Sequence, residues 1–158
     1  MRPLLTALSL LLTLATTHAA VVRLAPEFSF PGAASKTQSL KALRGQPVVL
    51  LVSKSPKLGD FKKQVKALKE IYQQFANERV VFVAAFTEEV GPVVSDIPFV
   101  VATNGAAVAS AYGVQDKFNI AIIGKDGNVD YQTSKVLRAS RVHDVIQNSF
   151  AVQSVTGR

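Results

Sequence analysis

The chain has 158 residues, 18 of them basic and 11 acidic, and it contains no cysteine or tryptophan. That length suits one domain with a sizeable core, and the missing thiols rule out disulfides, thiol catalysis and thiolate metal sites. The formal charge of +7 suits an anionic partner as well as plain solubility, and no basic run interleaved with aromatics points to nucleic acid.

The mean hydropathy of +0.23 is high, in part because of the first twenty residues. Arg2 is followed by the apolar run Leu4–Ala15, which is too short to span a bilayer comfortably. Thr17-His18-Ala19 then supplies small residues at a cleavage site. Residues 1–19 are expected to be a signal peptide, cut after Ala19 or, as second choice, Ala20. Only an uncleaved leader would hold the chain to a membrane, and no cysteine follows it to carry a lipid. The mature protein is expected to be periplasmic or secreted, with one domain over residues 20–152 and a polar tail over 153–158. His143 is then its single histidine, so neither a metal centre nor a cofactor is expected.

In chain order, Val21–Phe30 reads as an extended approach in which Phe28 and Phe30 can point the same way. Pro31-Gly32 is a turn, Ala33–Gln38 a polar loop, and Ser39–Leu43 one helical turn closed by Gly45. Val48–Val52 is apolar at every position, as in a strand buried on both faces. After the Ser53–Lys57 junction comes the clearest periodic signal: Phe61, Val65, Leu68, Tyr72 and Phe75, widened by Ile71, form one helical stripe ending near Asn77. Lys62, Lys63, Lys66 and Lys69 occupy the other side, and Lys66–Glu70 is an i,i+4 pair.

Val80–Ala85 is a second buried strand and Phe86–Val94 a loop or short helix. Phe99–Ala102 is a third strand, and Asn104–Tyr112 a small-residue helix stopped by Gly113. Phe118–Ile123 is a fourth strand. Gly124–Asn128 is a hairpin turn in which Asp-Gly supplies positive φ angles, leading to Val129–Gln132 with one face wet. Ser140–Val152 closes the fold as a helix with Val142, Val145, Ile146 and Phe150 inward. The β–α–β order predicts an α/β sandwich with a mixed sheet.

This order resembles the thioredoxin-like superfamily, in its exported thiol–disulfide reductase and peroxiredoxin-like branch. Ala25-Pro26-Glu27-Phe28-Ser29-Phe30 is similar to that branch's Ala-Pro-Asp-Phe opening strand. Ser39-Leu40 through Leu43-Arg44-Gly45-Gln46-Pro47-Val48-Val49-Leu50 resembles its approach to the central strand. Ala109–Val114 followed by Ile120–Gly127 resembles its "YGV…F.ID.DG" segment. The resemblance covers nearly the whole mature chain and implies a thioredoxin-like three-layer sandwich with a mixed central sheet. The family's Trp-Cys-x-x-Cys, or its single peroxidatic cysteine, would fall on Ser53–Lys57, and its cis-proline on Phe118. Both are absent, so the implied fold survives and the implied redox catalysis does not. Ile123-Gly124-Lys125-Asp126-Gly127, with the later Asp144-Val145-Ile146, also resembles a cysteine-free thioredoxin-like family of exported bacterial and animal matrix proteins. No activity carries over from it.

At the vacated corner, Ser53, Lys54, Ser55 and Lys57 could bind a small anion at a helix N-terminus. A Ser–Lys enzyme is the remaining catalytic alternative. The plainer reading is that Ser55 caps the helix with Pro56 at its first position, or that Asp60 caps a later start. Lys62, Lys63, Lys66 and Lys69 form a possible docking face, or simply a solvated one. Adjacent helix residues point about 100° apart, so Asp144 cannot orient His143 in a triad, and His143 is expected at the surface. Glu88, Glu89 and Asp96 are expected in loop roles. The expected function is non-catalytic binding of a protein or anionic envelope component, by a monomeric or weakly associating domain.

Overall fold

The computed structural model describes residues 23–156, with side chains for residues 23–149. The expected leader lies outside the described residues. Strands β1 (Ser29–Pro31) and β2 (Thr37–Ser39) form a small antiparallel hairpin. A sheet of five follows, built from β3 (Val48–Ser53), β4 (Val81–Phe86), β5 (Phe99–Val101), β6 (Phe118–Ile123) and β7 (Val129–Thr133). Its spatial order is β5-β4-β3-β6-β7, with β4 and β5 parallel to their neighbours and β6 and β7 antiparallel. Helices α1 (Gly59–Ile71), α2 (Gly105–Ala111) and α3 (Ala139–Thr156) complete the order.

Every residue of β3 is buried, and strand alternation divides the core. Val49 and Leu51 face one layer, where Phe61, Val65 and Leu68 of α1 meet Val142 and Ile146 of α3. Val48, Leu50 and Val52 face the other, where α2 packs with Phe28, Phe30 and Tyr112. The expected three-layer sandwich with a mixed sheet is the observed fold. Phe28 and Phe30 lie 6.3 Å apart between ring centroids, and the Tyr112 hydroxyl donates to the Pro26 carbonyl.

Several local expectations change. The polar stretch after Gly32 contains β2, and Leu40–Leu43 is a 3-10 turn. Helix α1 starts at Gly59 with Leu58 as an N-cap lacking a side-chain bond, so neither Ser55 nor Asp60 caps it. It ends at Ile71 and tightens into a 3-10 turn at Tyr72–Phe75, which still keeps Phe75 in the core. Only Gly127 of the hairpin turn has a positive φ, 82°. Helix α3 runs to Thr156, beyond the expected Val152 and through the start of the expected tail. Lys66 and Glu70 form no ion pair.

One polar residue sits inside the apolar stripe. Gln64 is completely buried; its amide donates to the Leu137 carbonyl at 3.1 Å, and its oxygen accepts from the Leu137 N–H at 2.7 Å. This two-point clamp joins α1 to the segment leading into α3. Gln64→Leu would leave both buried Leu137 groups unpaired, at a cost of about 2–4 kcal/mol. Urea unfolding should show this as a lower midpoint with an unchanged slope, and an unchanged midpoint would remove the clamp from the account.

Candidate functional site

The junction after β3 is held by its backbone. The Lys54 N–H donates to the Lys117 carbonyl at 3.1 Å, while the Lys54 carbonyl accepts from the N–H groups of Glu88 and Glu89, both at 3.0 Å. The Thr87 N–H donates to the Ser53 carbonyl. The loops leaving the adjacent parallel strands β3 and β4 are thus bonded to each other at the carboxyl end of the sheet, the usual ligand-binding end of an α/β fold.

Ser53 is 1 % exposed, and its hydroxyl donates to the Ser55 carbonyl at 3.0 Å. It pairs with Phe118 across β3 and β6, so the two sequence-predicted residues are neighbours, and Phe118 is buried in the α1 layer. The Ser55 hydroxyl accepts from the Lys57 N–H, which closes a local turn. Lys54 is ion-paired to Glu88 at 2.6 Å and Lys57 to Glu89 at 2.5 Å. Asp60 lies in the first turn of α1, at the positive end of the helix dipole. An external anion at this corner would have to displace carboxylates already in place.

The four helix lysines separate. Lys63 lies 3.9 Å from Asp60, and Lys69 is ion-paired to Asp96. Lys62 and Lys66 have no ion-pair partner among the described residues. His143 keeps part of its ring at the surface, with the rest stacked on Phe75, centroids 5.8 Å apart. It has no place in this site. No group of three potential metal ligands occurs among the described residues.

Beside the corner lies a feature the sequence did not suggest. Phe61 and Val65 of α1 form the floor of a cavity of about 680 Å3, and Pro56, Val90, Pro92 and Val94 form its opposite wall. Val90 is 71 % exposed and Val94 95 %. A Cβ on Gly91 would lie 3.2 Å from Pro56, so the loop closes tightly over the junction at that point. The groove continues along α1 past Lys62, Lys66 and Lys69 to Asp96. The valines around the Gly91-Pro92 break were the available signal, but only the folded loop separates Val93, packed on the core, from Val90 and Val94, which line the groove in the open.

The AhpC/TSA family matches residues 21–132, and the chain belongs to that family. Similar solved structures include a protein described as thiol:disulfide interchange protein DsbE from Chlorobium tepidum, with 18% identity and a TM-score of 0.67, covering 81% of this chain and 96% of that one. Peroxidoxin BcpB from Mycobacterium tuberculosis has 17% identity and a TM-score of 0.59 over 83% and 96% of the two chains. The exposed lipoprotein thioredoxin Etrx1 from Streptococcus pneumoniae has 18% identity and a TM-score of 0.59 over 78% and 99%. At these identities the likeness is one of fold. No match is found among curated proteins.

The Lys69–Asp96 pair ties the far end of the loop to α1. Hydrogen bonding to Lys69, then its charge, holds the Asp96 carboxyl below its ordinary value of 3.8. A carboxyl lowered on folding favours the folded arrangement above that value, and the effect is lost as pH falls through the folded pKa. Asp96→Asn should therefore speed amide hydrogen exchange across residues 89–97 at neutral pH while leaving the melting temperature unchanged, as for other exposed pairs. In the wild type the Asp96 tie should be lost in the same way below pH 3.8. Equal exchange in both proteins at neutral pH would show that the pair does not hold the loop.

Proposed function

We propose that this protein is an exported, non-catalytic thioredoxin-like domain that binds a protein or an anionic envelope component. The state of the corner carries this reading. Where a thiol family keeps its nucleophile, the chain has a buried Ser53 whose hydroxyl is spent on a backbone carbonyl, followed by two lysines each facing a glutamate. A serine becomes a nucleophile only when a base takes its proton, and the Ser53 proton points to a carbonyl oxygen. Export is supported by the leader pattern of residues 1–19 and by fold neighbours whose names include an interchange protein and an exposed lipoprotein. A binding role is supported by the apolar groove and by the basic face of α1 beside it.

Purified protein should reduce neither insulin disulfides nor peroxide above the uncatalysed rate, and a fluorophosphonate probe should leave it unlabelled. Turnover in either redox assay, or stoichiometric labelling of Ser53 or Ser55, would replace the binding reading with an enzymatic one.

A further inference from the structure

We infer that the groove between α1 and the loop after β4 is a docking site for an extended segment of an acidic protein, one that presents a bulky apolar side chain beside two carboxylates. This rests on the binding reading and assigns it a site and a partner chemistry.

Three ion pairs pin the loop to the junction and helix: Lys54–Glu88 and Lys57–Glu89 at one end, Lys69–Asp96 at the other. Between these ties the loop packs Val93 onto the core and leaves Val90 and Val94 exposed. It leaves a cavity of about 680 Å3 over Phe61 and Val65, with Val90 and Val94 in the opposite wall. That volume lies within the range of ligand pockets, roughly 300–1,000 Å3, and accepts a large aliphatic or aromatic side chain. Val90, Val94 and Leu24 are the large apolar residues most exposed among the described residues, and two of the three belong to this wall.

Charge selects the occupant. Lys62 and Lys66 border the groove with no acidic partner, while the lysines at its two ends are already neutralised. Residues i and i+4 on a helix have Cβ atoms about 5–6 Å apart. Alternate side chains of an extended peptide lie roughly 6.6 Å apart on one face. An acid-x-acid segment thus matches the two free lysines, with the neighbouring apolar side chain filling the cavity. An anionic lipid surface fits less well, because Glu88, Glu89 and Asp96 stand at the ends of the same groove and would face its phosphates.

The test is selection of a random heptapeptide library on the purified protein, followed by fluorescence anisotropy with the enriched peptides. Enriched sequences should combine an aromatic or large aliphatic residue with two acids at alternate positions. Lys62→Glu/Lys66→Glu and, separately, Val94→Asp should each weaken their binding about tenfold or more, as expected for central interface residues. Lys63→Glu, off the groove on the same helix, should leave it unchanged. Exchanging the peptide's acids for lysines should restore affinity to the doubly reversed variant. All four positions are exposed, so these variants should keep the wild-type melting curve. Acid-free peptides, or peptides indifferent to the groove variants, would overturn the site while leaving the binding reading intact. No enrichment would also overturn it, with the redox and probe assays then deciding the broader reading. A dimer in sedimentation that Val94→Asp dissolves would assign the groove to a second copy of the chain instead.

Discussion

The burial of β3 on both faces, between parallel β4 and antiparallel β6, sets the position of every functional candidate. Its six residues contribute no accessible polar group, so the first place where chemistry can begin is the end of the strand, at Ser53. The register then decides what stands there. Ser53 lies beside Phe86 on one side and Phe118 on the other, both buried in the α1 layer. A serine in that setting is surrounded by hydrocarbon, and its hydroxyl is satisfied by turning back to the Ser55 carbonyl, as buried polar groups must be. The same hydrogen-bonded turn delays the start of α1 to Gly59 and leaves Lys54 and Lys57 pointing at the neighbouring loop.

That loop is held by electrostatics of modest strength. Pairs between exposed lysines and carboxylates contribute little to global stability, so the three around this loop are better understood as setting its position. Their spacing is uneven: two at the junction, one about three helical turns along α1. The intervening segment contains Gly91 and Pro92 and no charged residue; Val93 anchors it to the core, while Val90 and Val94 line the groove beside Phe61 and Val65. Groove and ties are therefore one arrangement, and both depend on parallel strands β3 and β4 delivering their following loops side by side.

Much of the fold was legible because burial writes itself as periodicity. The β3 run, the α1 stripe and the Phe28–Phe30 pair are apolar at the spacing their elements require. The site was less legible, for specific reasons. Ser55-Pro56 has the composition of a helix start, but Ser55 closes a separate turn, its hydroxyl accepting from the Lys57 N–H and its carbonyl from the Leu58 N–H, before α1 begins at Gly59. Gln64 falls on the buried stripe by its spacing, three residues after Phe61 and four before Leu68, but nothing local names a partner for its amide, which the Leu137 backbone supplies from 73 positions away. Thr37–Ser39 lacks strand composition and pairs because the turn before it returns the chain onto β1. The partners of Lys54, Lys57 and Lys69 all lie on the loop between β4 and β5, brought there by tertiary packing that no local pattern encodes.

The junction and the groove divide α1 between them. A thiol corner must keep its nucleophile reachable, and in this family member Ser53 is buried at the corner while Lys54 and Lys57 are paired with glutamates of the next loop. One turn further on, the balance reverses: Phe61 and Val65 form the floor of an open groove and Lys62 and Lys66 carry unopposed charge. The apolar surface left in water there belongs to Val90 and Val94 rather than to the buried floor, and exposed apolar surface costs about 25 cal/mol per Å2. The exposed apolar and unpaired cationic groups thus lie along the helix, next to the corner where the family's chemistry would have been.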